Sequence, residues 1–317
     1  PSVIDACLKA AVPVVMSIED FKLTCPAGQH LRHGKVCTKC LGFTGKELWC
    51  AVHGCRQNRV WSTAYAIRNI VNNMRGIFHR IDLMLPCSQF NADILRQDGY
   101  ADEQIHVVPN FSPLAEEPAG DITAGKYAAY VGRISPEKGL PVLIDAAKRS
   151  GLPVKIAGDA SEMPELVASA PGNVEFVGKL SREGVADFFR KARLAVVSSV
   201  WYECFGIVAA EAQGYGVPVL ASRIGGLQET ITDGETGLLF EAGNAEQLAG
   251  QMSSLWNDED RLRRMSIAAR ARAQKHFTRD VFYRRLMAGY ERATQRCARR
   301  RGRARAISSK VPTPQAV

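Results

Sequence analysis

Ser198-Ser199-Val200-Trp201-Tyr202-Glu203-Cys204-Phe205-Gly206-Ile207-Val208-Ala209-Ala210-Glu211-Ala212 is the stretch that decides the fold. Ala195-Val196-Val197, just before it, is a short apolar run with the character of a buried strand. Gly206 permits close backbone approach, and from Ile207 to Gly214 the chain is apolar and compatible with a helix. A strand, a glycine-bearing loop and a helix in that order place a ligand outside the carboxyl end of the strand, at the helix N-terminus. Glu203 then lies in the loop facing the ligand, and Glu211 falls about two turns into the helix. N–H groups around Phe205, Gly206 and Ile207 point at an anion, whereas two carboxylates repel phosphate and suit hydroxyls. A ligand that carries both phosphate and many hydroxyls is a sugar nucleotide.

Outward from this stretch, residues 127–240 alternate strand and helix. Strands are expected at 127–131, 154–158, 174–177, 194–197, 217–221 and 237–240, with helices at 139–150 and 182–192. That alternation predicts an α/β fold with a doubly wound, mostly parallel sheet covered by helices on both faces. Residues 245–256, 258–275 and 279–297 read as closing helices. Earlier in the chain, 5–11 reads as the end of a helix and 12–18 as a strand. A long helix is expected over 61–78, a strand over 81–86, a helix over 91–97 and a strand over 105–108. Ser112-Pro113-Leu114-Ala115-Glu116-Glu117-Pro118 has linker composition. The expected division is therefore 1–118, 119–290 and a basic tail at 291–317.

The 317 residues are 46% hydrophobic and 23% charged, which suits a soluble globular protein with room for two domains. No run approaches the roughly 18 apolar residues of a membrane span. No basic-then-apolar leader with a cleavage site is present, so a cytoplasmic location is expected. The net charge of +9 is concentrated at one end. Arg292, Arg296, Arg299, Arg300, Arg301, Arg303 and Arg305 supply seven of these charges, and removing them leaves +2 for the rest. Such a tail is expected to be disordered and suits nucleic acid or anionic lipid, the latter at the inner membrane face. A solvated end with no dedicated partner is the alternative.

The ordered motifs carry a resemblance. They are Gly132-Arg133-Ile134-Ser135-Pro136-Glu137-Lys138-Gly139, Ala157-Gly158-Asp159 and Val177-Gly178-Lys179-Leu180, followed by the Glu203-to-Glu211 element. Ala221-Ser222-Arg223-Ile224-Gly225-Gly226-Leu227-Gln228-Glu229 and Asp233-Gly234-Glu235-Thr236-Gly237-Leu238-Leu239 complete the series. Together they resemble the family-4 retaining glycosyltransferases of the GT-B fold. That implies two Rossmann-like, doubly wound domains, the C-terminal one holding a nucleotide-sugar donor. By resemblance Arg133 and Lys138 meet the diphosphate, neutralising the charge that builds on the leaving nucleotide. Glu203 is the candidate catalytic carboxylate, bonding donor sugar hydroxyls. Gly132, Gly158 and the backbone at Phe205, Gly206 and Ile207 surround sugar and phosphate. Glu211 takes the ribose, and Val177, Gly178 and Leu180 line the base. The implied reaction moves a sugar from a UDP-, GDP- or ADP-sugar to a saccharide, lipid or small-molecule hydroxyl. No Asp-x-Asp motif stands beside a strand end, so no divalent ion or other cofactor is expected to be required for catalysis.

The chain departs from that pattern twice. The family begins with a strand and a glycine-rich loop, so the N-terminal domain is expected to be incomplete. At Ser17-Ile18-Glu19-Asp20, relatives often carry His-Asp; here Glu19 is the candidate to bond a sugar hydroxyl or take up a proton. Glu19 also fits a plain strand-end acid, as Arg133 with Lys138 fits a solvated loop pair. Two other functions stay open: a sugar-nucleotide epimerase on the same architecture, and a non-catalytic donor-binding module.

Nine cysteines include a cluster in residues 25–55. Cys37-Thr38-Lys39-Cys40 has the spacing that lets two thiolates reach one metal. With two of Cys25, Cys50 and Cys55 it could form a structural zinc site; free thiols or facultative disulfides are the alternative.

Overall fold

The computed structural model describes residues 2–42, 46–56, 58–112 and 120–308. Residues 113–118 of the expected linker and the last nine residues of the expected tail lie outside them.

The first part of the chain contains α1 (Ser2–Lys9), β1 (Val15–Ile18), the short pair β2 (Leu31–Arg32) and β3 (Lys35–Val36), α2 (Leu48–His53), α3 (Arg59–Met74), β4 (Leu83–Pro86) and α4 (Gln89–Gln97). β1 and β4 run parallel, and all of β4 is buried. The expected helix over 61–78 is shifted: Asn58 caps α3 by accepting from the Trp61 N–H at 3.0 Å, and Gly76 at φ 57° follows its end. The segment expected as a strand at 105–108 touches β4 through a bridge at Ile105 and through bonds from His106 N–H to Met84 O and Val108 N–H to Pro86 O. Pro109, which has no N–H, prevents that pairing from continuing.

The second part contains β5 (Tyr127–Val131), α5 (Leu140–Ser150), β6 (Val154–Ala157), α6 (Pro164–Ala168), β7 (Val174–Gly178), α7 (Arg182–Arg190), β8 (Ala192–Val197), α8 (Ile207–Gly214), β9 (Val219–Ser222), α9 (Leu227–Thr230), β10 (Gly237–Phe240), α10 (Ala245–Asn257) and α11 (Glu259–His276). Six parallel strands form one sheet in the order β10-β9-β8-β5-β6-β7. Its inner strands read as continuous apolar runs because helices cover both faces. α5 buries Leu140, Leu143, Ile144, Ala146 and Ala147, the stripe its helical period predicts.

α12 (Arg279–Ser308) corrects the expectation of a disordered tail. Instead of stopping at residue 297, the helix continues and returns to the first part of the chain. Ala293 is fully buried and clusters with Leu83, Leu85 and Val108, with Phe282 and Leu286 packed against them. Arg292 donates to the Ile105 and Glu103 carbonyls, each at 3.2 Å, and the Cys297 thiol donates to Ala11 O at 3.3 Å. Residues 286, 293 and 297 share one helical face, so burial along that face holds the arginine-rich segment in place.

Candidate functional site

The strand order reverses between β5 and β8, which lie side by side while the chain winds outward from them to opposite edges. Ligands of open α/β sheets bind at such a reversal, outside the carboxyl ends of the strands. The loops leaving these two strands are Gly132–Gly139 and Ser198–Gly206, and they are tied together. Gly139 has φ 65°, and a Cβ there would stand 2.0 Å from Ser198 O, so only glycine permits the approach. Val200 N–H donates to Glu137 O at 3.0 Å, and Ser198 Oγ donates to Lys138 O at 3.0 Å.

This stitching brings Lys138 Nζ to 2.6 Å from Glu203 Oε1. The same oxygen accepts from Ser199 Oγ at 2.5 Å and from Trp201 Nε1 at 3.1 Å. The Lys138 ammonium also lies 5.2 Å over the Trp201 ring. Glu203 is only 9% exposed. Its other oxygen, Oε2, accepts no hydrogen bond among the described residues, leaving an acceptor in a site that already holds a cation. Gly225 and Gly226 press on this loop from below. A Cβ on Gly226 would lie 2.4 Å from Cys204 O, and Gly226 N–H donates to Glu203 O at 2.7 Å.

Arg133 reaches into solvent with its side chain 67% exposed, touching Glu137 at 3.0 Å. The Ser135 hydroxyl bonds the same carboxylate at 2.8 Å. A Cβ on Gly158 would stand 2.1 Å from Gly132 O, and Gly158 N–H donates to Gly178 O at 3.0 Å. The ends of β5, β6 and β7 therefore meet at these glycines. Val177 and Leu180 are half-buried beside them. α8 starts after Gly206 at φ 84°, and Phe205 is buried just before it. Ala209 N–H and Ala210 N–H both bond Gly206 O, so the N–H groups of Ile207 and Val208 precede the first helical bond. Glu211 is half-buried, and its carboxylate makes no hydrogen bond among the described residues. Burial pushes its pKa up, and Arg182 opposes that shift.

Residues 117–272, which carry all of these loops, match the family model of glycosyl transferases group 1. The chain carries a group 1 glycosyltransferase domain. A D-inositol 3-phosphate glycosyltransferase of Nocardia farcinica is 34% identical over 198 residues, covering 54% of this chain and 44% of that protein. A phosphatidyl-myo-inositol mannosyltransferase of Mycobacterium leprae is 33% identical over 193 residues, covering 57% and 51%. The chain thus spans about half the length of these relatives. Anabaena HepE in complex with UDP-glucose superposes with a TM-score of 0.68 at 19% identity, over 90% of this chain and 74% of that one. Sucrose-phosphate synthase of Thermosynechococcus elongatus superposes at 0.61 with 26% identity, over 73% and 63%. The architecture is GT-B.

In this glycosyltransferase domain the Glu203 loop is also a contact with the first part of the chain. Tyr202 sits among Phe90 at 4.8 Å, Phe21 at 6.3 Å and His30 at 6.3 Å between ring centres. Cys204 packs against the buried Cys87, just after β4. Glu229 reaches across to accept from the Gln89 and Phe90 N–H groups at 2.7 and 2.5 Å, at the start of α4. Glu19 is exposed at the end of β1 and takes a 3.3 Å bond from Ser17 Oγ, while Asp20 pairs with Lys22 at 2.5 Å. Ser199, Trp201 and Glu229 carry no assignment in the sequence reading. Ser199 and Trp201 flank Glu203 within the deciding stretch, and adjacency was the available signal.

Among the described residues no group of three or more His, Cys, Asp or Glu is disposed, as it stands, to hold a metal ion. Of the expected set, Cys40 feels Cys25, Cys50 and Cys55, and Cys55 feels Cys37. All five are free thiols. Cys40 and Cys50 are pushed up to about 12, mainly by burial and further by neighbouring thiols, which keeps both protonated. The loop is held otherwise. His30 is fully buried, bonded to Cys37 O at 3.1 Å through Nδ1 and to Thr24 Oγ1 at 2.8 Å through Nε2. A carbonyl only accepts, so Nδ1 carries the proton and Thr24 donates to Nε2.

Proposed function

We propose that this chain is part of a nucleotide-sugar glycosyltransferase, with its donor bound at the β5–β8 reversal and its sugar transferred with retention to an acceptor hydroxyl. The observation that carries this reading is the pairing of the Lys138 ammonium with the Glu203 carboxylate, in the loop that leads into α8. The bond from the anomeric carbon to the diphosphate breaks and its electron pair leaves on phosphate. The acceptor oxygen forms the new bond on the same face and gives up its proton, for which Glu19 is the candidate base. Lys138 and Arg133 stabilise the departing charge, helped by the N–H groups that open α8. Glu203 Oε2 accepts from a sugar hydroxyl, and Glu211 accepts from the ribose. No step calls for a metal ion, because the two cations and the helix start supply the positive charge.

A UDP-sugar is the first donor to test, since HepE was crystallised with UDP-glucose. Polyols related to inositol are the first acceptors, after the relatives named for them. Isothermal calorimetry with UDP, GDP and ADP is expected to give one binding nucleotide, weakened at least tenfold in Arg133→Ala/Lys138→Ala. Glu203→Ala is expected to abolish transfer while the protein melts cooperatively. Folded protein that binds none of the three nucleotides would overturn the proposal.

A further inference from the structure

Away from the proposed donor site, a cavity of about 1330 Å3 opens where the end of α1, the turn before β4 and the Arg296-to-Arg301 stretch of α12 meet. Among the described residues, Lys9, Arg80, Arg296, Arg299, Arg300 and Arg301 line it, against two carboxylates, Asp82 and Glu103. The cations differ in how they are held. Asp82 is 3% exposed and takes the Val14 N–H on one oxygen at 2.9 Å. Its other oxygen takes Arg300 Nη1 at 2.6 Å, so this guanidinium is fixed from behind. Arg80 pairs with Asp5 at 2.8 Å, and Arg301 donates to Ala11 O. The side chains of Lys9, Arg296 and Arg299 have no ion pair or hydrogen bond among the described residues.

Like charges gathered around a concave wall repel one another and raise the local potential, a cost that a bound anion removes. Guanidinium forks match phosphate oxygens in pairs, and several of them aimed at one cavity select for more than one phosphate charge. We propose that this cavity binds a multiply charged phosphate group, with Lys9, Arg296 and Arg299 as its free ligands and Arg300 as a preset wall. The phosphate is either a soluble polyphosphate or the head group of an anionic lipid, since both present the same oxygens. The cavity shares no residue with the donor site, so the two proposals stand or fall separately.

The test uses the Arg133→Ala/Lys138→Ala protein, in which phosphate binding at the proposed donor site is expected to be weakened. Inorganic tripolyphosphate is titrated by calorimetry, and sedimentation is measured with phosphatidylglycerol-containing and pure phosphatidylcholine vesicles. Adding Arg296→Gln/Arg299→Gln is expected to weaken binding at least tenfold with no change in melting temperature. Lys9→Gln, on a different helix, is a second variant expected to weaken it at least threefold. Saturable one-to-one tripolyphosphate binding, lost in the variants, supports the site with a soluble ligand. Binding only to the anionic vesicles, lost in the same variants, supports it with a lipid head group. No binding in either arm, or binding that the variants leave unchanged, overturns it.

Discussion

Asp98 is half-buried after α4, where it accepts the Gly42 N–H at 3.0 Å. Burial raises its pKa from 3.8 to about 6; the Glu47 charge adds to the rise and the hydrogen bond opposes it. The folded state therefore holds this proton more tightly than the unfolded chain. The stability it contributes is fully present below the unfolded value and is lost as pH rises through about 6. Asp98→Asn keeps an acceptor for Gly42 and removes the titration. Its melting temperature is expected to exceed that of wild type by a few degrees at neutral pH and to match it in acid. Glu211 is also raised by burial, and in the proposed role its ionised form is the better acceptor for two ribose hydroxyls. Nucleotide affinity is expected to strengthen as pH rises through the raised value, and calorimetry on Glu211→Gln should show a flat profile. The residue types at Glu203, Lys138 and Glu211 were readable in the sequence as candidates for the proposed donor site. The contact between Lys138 and Glu203 was not. It depends on a backbone approach between Gly139 and Ser198, which lie far apart in the chain and carry no shared local pattern.

Elements divide by how much of their burial is local. β5, β8, β9 and β10 were legible because strands covered on both faces are runs of apolar residues whatever lies beside them. α12 was legible as a helix but not in its extent, because its apolar face is thin and crowded by arginine. The decisive positions, Leu286, Ala293 and Cys297, are small or isolated in that background. Ala293→Asp places a charge against Leu83, Leu85 and Val108, and is expected to cost at least about 3 kcal/mol in urea unfolding. α4 depends on the other side of the cleft. Ser88 accepts from the Asn91 N–H at 3.0 Å, and Glu229 takes the two N–H groups that Ser88 leaves. Glu229→Ala is expected to cost about 1 kcal/mol, since these bonds are charge-assisted but partly solvated. An unchanged urea midpoint would show that the contact contributes nothing in solution.

At the scale of the molecule, three consecutive residues have three different tasks. Tyr202 packs into an aromatic cluster of the first part of the chain, Glu203 pairs with Lys138 at the proposed donor site, and Cys204 packs against Cys87. One short backbone segment therefore answers to both halves. Any ligand that shifts Glu203 must also do work on the Tyr202 and Cys204 contacts, and thermodynamic linkage makes that work reciprocal. Phe90 lies outside the donor loops, yet Phe90→Ala is expected to change nucleotide affinity several-fold by releasing Tyr202. Equal affinities would mean that the halves move independently. With coupling, an acceptor seated near Phe21 and Phe90 would tune donor affinity without touching the nucleotide, and order of addition would become a property of residues 202–204.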